Sequence, residues 1–180
     1  MDFLTEYFGY LAIALVILQF QFNNRNKIQY TKMGASLSLF FHYLLLGATV
    51  GAIMNILGIL RTYLYIKYEG NKKILVAFLI IFPISVLITS EGLISIFPLI
   101  GMIAGTIAFW MSNPKYIRLI SLICNPAWII YALFIGSHQG VINESILLMS
   151  VLIGIYRFDI KKEKQDSVNE IKSIDKSCQP

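Results

Sequence analysis

The sequence has few of the residues on which enzymes and secreted domains depend. It contains two cysteines and two histidines in 180 residues. Cys124 lies in an apolar run and Cys178 near the C-terminus, which is no disulfide framework. There is no His-Glu-x-x-His sequence, no phosphate-binding glycine loop and no Cys-x-x-Cys pair. We therefore expect a protein that is not an enzyme and that has no metal site or cofactor.

Charge is also scarce, whereas apolar residues are abundant. Charged residues make up 14% of the chain and hydrophobic residues 57%, with a mean hydropathy of +0.68. This apolar share exceeds the roughly one half that is typical of soluble domains. The net charge of +5 comes from Lys and Arg in short loops and in the C-terminal segment, where membrane topology accounts for them. We expect the lipid bilayer to be a partner and nucleic acid not to be one.

Seven apolar segments follow one another along the chain, and each is long enough to be considered as a membrane span. They must be helical, because lipid offers no hydrogen bonds to an open backbone. The sequence thus predicts an all-α integral membrane protein with seven transmembrane helices. The predicted segments are 5–21, 33–50, 51–68, 74–89, 93–111, 116–135 and 141–158.

The basic residues predict the orientation of these helices. If the N-terminus lies outside, all fifteen Lys and Arg residues fall on the cytoplasmic side, and the opposite loops contain none. The C-terminus is then cytoplasmic. Arg61 and Arg157 lie toward the inner ends of their helices, where we expect them to be anchors at the membrane interface. The alternative for either is an internal counter-ion.

Two stretches of the chain resemble each other at a separation of 89 positions. At this offset, Gly136 corresponds to Gly47, Gly140 corresponds to Gly51 and Glu144 corresponds to Asn55. Short glycine turns between apolar helices, each followed by a polar residue, predict a duplicated unit. The predicted arrangement is 3+1+3, with two parallel three-helix bundles and a linker helix. Its parts are a first bundle (1–70), a linker helix (71–91), a second bundle (92–160) and a disordered cytoplasmic tail (161–180).

Three predicted helices contain small or polar residues within their apolar runs, and those of helix 3 share one face. Those of helix 3 indicate either a packing stripe or a cavity wall. In helix 6, Asn125 and Trp128 flank a mid-helix proline that frees a backbone carbonyl, which favours a ligand-facing patch over a simple kink. A GxxxG pair in helix 5 is expected to serve packing. The residues concerned are Gly51, Asn55, Gly58 and Thr62 in helix 3, Gly101 and Gly105 in helix 5, and Asn125, Pro126 and Trp128 in helix 6.

His42 and Glu144 are ionisable residues within predicted spans. His42 either relays protons or is a neutral, hydrogen-bonded core residue. Glu144 is predicted to lie about one turn into helix 7, near the outer interface. It is either a helix-start carboxylate favoured by the helix dipole or a cavity residue, and in the second case it could couple transport to protons.

Several of these residues form motifs that resemble a known family. The motifs are His42-x4-Gly47-x3-Gly51-Ala52-x2-Asn55-x5-Arg61, Gly136-Ser137-x2-Gly140-x3-Glu144 and a closing Arg157-Phe158. They look like those of the YgjV-type bacterial inner-membrane proteins, and the likeness extends over residues 7–160. The resemblance implies a location in the bacterial inner membrane.

The chain is more distantly similar to the SWEET and PQ-loop transporters. That resemblance implies two triple-helix bundles joined by a linker helix, with a sugar site formed by an Asn from the third helix of each bundle and a nearby Trp. Asn55 matches one such Asn by position, and Glu144 or Asn143 would be the second. The chain lacks the Pro-Gln dipeptide of those transporters.

The sequence therefore favours a carrier of a small polar solute, sugar-like, that works by alternating access. The alternative is a non-transporting membrane partner or scaffold protein. The sequence leaves open whether the chain forms a homo-oligomer. The predicted substrate-binding residues are Asn55, Asn125, Trp128, Glu144, Asn143 and His42.

Overall fold

The computed structural model describes residues 3–19, 22, 25–68, 70–111 and 114–160. These residues form seven α-helices, which confirms the predicted all-helical fold. The predicted disordered tail, 161–180, lies outside the described residues. The helices are α1 (Phe3–Gln19), α2 (Arg25–Leu45), α3 (Thr49–Lys67), α4 (Lys72–Thr89), α5 (Ile96–Trp110), α6 (Pro114–Phe134) and α7 (His138–Gly154), with a 3-10 turn (Leu93–Ser95) before α5 and a π-helical segment (Ile155–Ile160) after α7.

Most helix starts differ from the prediction by two or three residues, and the start of α2 differs by eight. α2 begins at Arg25 and α7 at His138, earlier than the predicted 33 and 141. The prediction followed apolar runs, whereas helical hydrogen bonds continue through polar residues that face the interior or the loops. The turn between α2 and α3 precedes Thr49, so the predicted boundary between residues 50 and 51 falls inside α3.

The predicted glycine turns are present and have the same geometry. Gly47 has φ +76° and Gly136 has φ +72°, a region that side chains with a Cβ disfavour. The Ala48 N–H donates to the Tyr43 carbonyl at 2.9 Å, and the Ser137 N–H donates to the Ala132 carbonyl at 2.8 Å. The members of each pair are 89 residues apart, so the offset read from the sequence also relates backbone hydrogen bonds.

The helix bounds follow the same offset. α2 spans residues 25–45 and α6 spans 114–134, so both ends differ by 89. α3 begins at Thr49 and α7 at His138, which is again a difference of 89. The offset places the start of α1, Phe3, at position 92, next to the turn that precedes α5. Helices 1 to 3 and 5 to 7 therefore follow one common pattern along the chain.

Six of the helices form a closed ring. Each of α1, α2 and α3 packs against its neighbour in the chain, and so does each of α5, α6 and α7. Contacts between α1 and α7 and between α3 and α5 join the two sets. α4 packs against α3 and α5 at the outside of this ring. The ring encloses the interior in which the polar side chains are found.

The outer surface is apolar and the interior holds polar groups. Leu93 is 85% exposed and Phe134 is 75% exposed, whereas His42, Thr106 and Asn143 are buried. An apolar exterior of this extent needs a cover, and lipid provides it. Among the described residues, four helices are long and apolar enough to cross a membrane, and α1 and residues 93–108 are shorter apolar helices. The four are Thr49–Lys67, Lys72–Thr89, Lys115–Phe134 and His138–Arg157.

Candidate functional site

A cavity of about 210 Å³ lies inside the ring of helices. Five of the six predicted substrate-binding residues line it, namely Asn55, Asn125, Trp128, Asn143 and Glu144. All six ring helices contribute to its wall, whereas the described residues of α4 contribute none. The structure thus brings together side chains that are up to 89 positions apart in the sequence.

The cavity wall follows the offset of 89 residues. Of its 23 lining residues, 18 form nine pairs whose members are 89 positions apart. Corresponding positions of the two sets of three helices therefore face one common space. The pairs are Val16 and Gly105, Gln19 and Ala108, Lys32 and Ser121, Ala35 and Cys124, Ser36 and Asn125, Leu39 and Trp128, Met54 and Asn143, Asn55 and Glu144, and Gly58 and Leu147.

Glu144 lies deeper than its predicted place near the outer interface. It is the seventh residue of α7, because the helix begins at His138, and it is 8% exposed. At a rise of about 1.5 Å per residue, this position is about 9 Å from the helix start. Its carboxylate accepts a hydrogen bond from Asn143 Nδ2 at 3.2 Å. The carboxylate is therefore a buried part of the cavity wall.

The amide side chains in the wall retain unused hydrogen-bonding capacity. Asn143 is 1% exposed, and its Oδ1 is buried without a hydrogen-bond partner. Asn55 Nδ2 donates to the Gly51 carbonyl at 2.9 Å, within its own helix. An unpaired buried carbonyl oxygen costs about 1–3 kcal/mol, so a solute that donates a hydrogen bond to Asn143 would recover this energy.

Arg61 belongs to the cavity and not to the membrane interface. It is 5% exposed, so the expectation of an interfacial anchor is wrong for this residue. Its Nη1 donates to Thr106 Oγ1 at 3.0 Å and to the Met102 carbonyl at 3.4 Å. These bonds tie α3 to α5 and hold the guanidinium in the cavity wall. Arg157 is exposed in the π-helical segment.

Trp128 is held in the wall by aromatic packing and by a glycine. Its ring stacks on Tyr43 with centroids 6.2 Å apart and meets Tyr131 edge to face at 6.0 Å. A Cβ at Gly101 would lie 2.6 Å from Trp128 Nε1, closer than any relaxed contact allows. Gly101 therefore lets the indole approach the α5 backbone, and the predicted GxxxG pair positions a cavity residue.

Gly101→Ala is expected to lower the free energy of unfolding by about 1–3 kcal/mol, because the added methyl group overpacks the site of the indole. The matched control is Gly105→Ala in the same helix. A Cβ there would lie 3.5 Å from Arg61 Nη1, an ordinary contact, so stability should stay unchanged or rise by up to about 1 kcal/mol. Thermal unfolding in detergent measures both. Equal effects of the two substitutions would contradict the close contact of Trp128.

His42 does not line the cavity. It forms hydrogen bonds between helices at one end of the ring, and we call this set of bonds a brace. Its Nδ1 lies 2.8 Å from the Thr5 carbonyl, which can only accept, so this nitrogen carries the proton. Its Nε2 accepts a hydrogen bond from the Ser137 hydroxyl at 2.7 Å, and the Ser137 Oγ accepts one from the Gly140 N–H at 2.9 Å. All of these contacts lie within the described residues, and they favour the hydrogen-bonded core role over the proton relay.

The whole described chain matches one family. The model of the family described as Imp-YgjV, bacterial inner membrane protein, matches residues 3–162. The chain belongs to this family. The predicted resemblance and the inner-membrane location are thereby confirmed. No curated protein and no solved structure matches the chain, so the distant likeness to SWEET and PQ-loop carriers stays a prediction.

In this YgjV-family protein, Tyr131 corresponds to His42 at the offset of 89 and braces the ring in a similar way. The Gly51 N–H donates to the Tyr131 hydroxyl at 2.9 Å, and that hydroxyl donates to Glu91 Oε2 at 3.1 Å. Glu91 Oε1 accepts from the Val50 N–H at 2.8 Å, at the start of α3. His42 and Tyr131 thus each bind the N-terminal turn of a helix in the other set of three.

Sequence reasoning missed Glu91 and Lys32. Glu91 is the last residue of the predicted linker helix (71–91) and was given no role, although Asp2, 89 positions earlier, is also acidic. Lys32 was counted among the basic loop residues, but it lies within α2 and lines the cavity. The repeat is the signal that could have indicated Glu91, whereas Lys32 lies near other basic residues and its pattern does not distinguish it from them.

The chemistry of this wall suits hydrogen bonding and charge pairing. It offers the amides of Asn55, Asn125 and Asn143 together with three charged side chains. Within the described part of the chain, no group of three His, Cys, Asp or Glu residues could hold a metal ion. The wall can therefore form hydrogen bonds and ion pairs with a polar group that enters the cavity.

Proposed function

We propose that this inner-membrane protein carries a small polar solute across the membrane by alternating access. The observation that carries this proposal is the single cavity whose wall consists of corresponding positions from two sets of three helices. Carriers with internal repeats bind their solutes between the repeats, near the middle of the membrane. The wall offers hydrogen-bonding and charged groups, which suit the binding of a polar solute.

The arrangement that we propose for transport is two three-helix bundles, residues 1–70 and 92–160, joined by α4. Three features support it: the common helix bounds, the matching turns and the peripheral position of α4. Rocking of one bundle against the other would change which side of the membrane the cavity faces. The interfaces that would have to slide are α1 against α7 and α3 against α5.

The two ends of the ring differ from each other, as alternating access requires. The braces of His42 and Tyr131 lie at the end where the two glycine turns are found. The cavity lies toward the opposite end, since it includes Gln19, Lys32 and Ile117, near the other ends of their helices. In this conformation, hydrogen bonds hold closed the end of the ring that contains the two glycine turns. Release of the hydrogen bonds of both His42 and Tyr131 would open that end.

Uptake into proteoliposomes tests the proposal, with sugars, polyols, amino acids and organic acids as labelled solutes. Asn125→Ala is expected to reduce uptake at least tenfold while the folded protein is retained, because its amide faces the cavity. Ser145→Ala is the control, since Ser145 lines a separate groove on the outside of α7. Absence of uptake and of solute-induced thermal stabilisation would overturn the carrier and favour a non-transporting partner or scaffold.

We also propose that the N-terminus lies outside and the C-terminus in the cytoplasm. A reporter that is active only in the cytoplasm should work when it is fused after Pro180. The same reporter fused after Glu91, which follows α4, should be inactive there. Periplasmic activity of a fusion after Pro180 would contradict this topology.

A further inference from the structure

We propose that the solute binds away from the centre of the ring, at the junction of α3 and α5, and that Gly105 sets the largest solute that the cavity accepts. This inference rests on the proposed carrier function and adds the place of the solute and the residue that selects it by size. It is carried by the differences between corresponding wall positions and by the space around Gly105.

The cavity is not centred between the two sets of three helices. The junction of α3 with α5 corresponds to the junction of α7 with α1 at the offset of 89. Among the described lining residues, nine belong to α3 or α5, whereas five belong to α1 or α7. The cavity therefore extends farther toward α3 and α5. Four of the five lining residues outside the nine pairs also belong to these two helices, and the five are Arg61, Thr62, Gly101, Met102 and Ile117.

Glycines on this side correspond to larger apolar residues on the other side. Val16 of α1 corresponds to Gly105 of α5, and Leu147 of α7 corresponds to Gly58 of α3. At Gly58 the space is partly filled, because an added Cβ would lie 3.0 Å from Met102 Cε. The junction of α1 and α7 is thus lined by side chains at the positions where the junction of α3 and α5 has glycines. Gly105 is the glycine of this pair with the more open surroundings.

Helix packing does not require a glycine at position 105. A Cβ there would lie 3.5 Å from Arg61 Nη1 and 3.9 Å from Cys124 Sγ, which are ordinary contacts with side chains of the cavity wall. Membrane helices use glycine where their backbones approach closely, whereas these neighbours are side-chain atoms. The missing side chain at position 105 therefore enlarges the cavity, and any side chain introduced there would take up that space.

Polar groups lie next to this space. Arg61 lines the cavity, and its Nη1 donates to the hydroxyl of Thr106, the residue after Gly105, at 3.0 Å. In the same wall, Asn143 Oδ1 is buried without a hydrogen-bond partner. Buried acceptors are normally satisfied, so this oxygen indicates a wall that a bound molecule completes. The space at Gly105 thus belongs to a cavity equipped to bind a polar molecule.

The volume makes the cavity sensitive to a single side chain. The cavity of about 210 Å³ equals the volume of about seven water molecules in the liquid. Valine at position 105 would add three carbon atoms to this space. A solute that fills the cavity would then no longer fit, whereas a smaller solute would still bind. Gly105→Val is therefore expected to lower the maximum size of the transported solute.

The first test is uptake into proteoliposomes of labelled sugars, polyols, amino acids and organic acids of three to six carbon atoms. The polyol series is glycerol, erythritol, xylitol and sorbitol. Gly105→Val is expected to reduce uptake of the largest transported solute at least tenfold and to affect smaller ones less. Gly105→Ala should show the same order of sizes with a smaller loss, and it serves if the valine variant does not fold.

The matched control for Gly105→Val is Gly34→Val in α2. A Cβ at Gly34 would also lie 3.5 Å from its nearest neighbour, Leu15 Cδ1, but Gly34 does not line the cavity. Its uptake should show the same preference for size as the unmodified protein. Unchanged uptake of the largest solute by folded Gly105→Val, or an equal loss for all sizes, would overturn the role of Gly105 and leave the carrier intact.

A double substitution tests the place of the solute. Val16→Gly combined with Gly105→Val keeps the same two side chains in the wall but moves the open space to the junction of α1 and α7. Uptake of the largest solute should stay as low as in Gly105→Val, because Arg61 and Thr106 remain between α3 and α5. Recovery of this uptake would overturn binding at that junction. If the unmodified, folded protein takes up none of the solutes, the carrier proposal itself fails, and this inference fails with it.

Discussion

Glu144→Lys is expected to lower the free energy of unfolding by about 3–5 kcal/mol or to prevent folding. The substitution would place a third cation in a cavity wall that already holds Lys32 and Arg61. It would also remove the acceptor of the Asn143 Nδ2 hydrogen bond. A buried ammonium group without a counter-ion loses its hydration and gains no compensating contact. Denaturant titration in detergent micelles and the yield of folded protein in the membrane both report this loss.

Two controls separate charge from shape in this experiment. Glu144→Gln keeps the side-chain shape and an acceptor oxygen, so its effect on stability should stay below about 1 kcal/mol. Glu6→Lys reverses an exposed charge on α1 and should also have little effect. A Glu144→Lys protein as stable as the unmodified one would mean that position 144 is reached freely by water.

Tyr131→Phe is expected to lower the free energy of unfolding by about 2–3 kcal/mol, although it removes a single oxygen atom. The hydroxyl accepts from the Gly51 N–H and donates to the Glu91 carboxylate, so two partners lose a hydrogen bond at once. Tyr131 and Gly51 are buried, so water cannot readily replace the bond to the Gly51 N–H. Differential thermal unfolding in detergent measures the effect.

The matched control for Tyr131→Phe is Tyr63→Phe, which removes an exposed hydroxyl from α3. Its effect should be within about 0.5 kcal/mol of zero. Glu91→Gln in the Tyr131→Phe background provides a further check, because part of the Glu91 effect should already be lost with its partner. Strict additivity of the two substitutions would contradict the brace between Tyr131 and Glu91.

The helices and turns could be predicted because their causes are local. Apolar runs of membrane length specify helices, and Gly47 and Gly136 specify turns that need a positive φ. The predicted starts of α2 and α7 were less accurate, because these helices begin at Arg25 and His138, which precede the apolar runs. Polar residues at a helix end are compatible with helix and with loop alike, and hydropathy does not separate the two.

The site was predictable only where a residue was unusual within its own helix. Asn125 and Glu144 are polar residues in apolar runs, and both line the cavity. Lys32 lies near other basic residues, so orientation alone explained it, and its cavity role depends on how α2 packs in the ring. His42 was included for its chemistry, but its contacts with Thr5 and Ser137 depend on packing between distant segments.

Corresponding positions of this cavity wall can carry different charges because both sets of three helices belong to one polypeptide. In a ring built from two identical shorter proteins, every wall residue would meet its own copy, and a lysine at position 32 would face a second lysine. Here Lys32 is matched by Ser121, and Glu144 by Asn55. Joining two ancestral copies into a single gene would free each half to mutate alone. A symmetric homodimer could not place a charged residue at one of two corresponding wall positions and a neutral residue at the other.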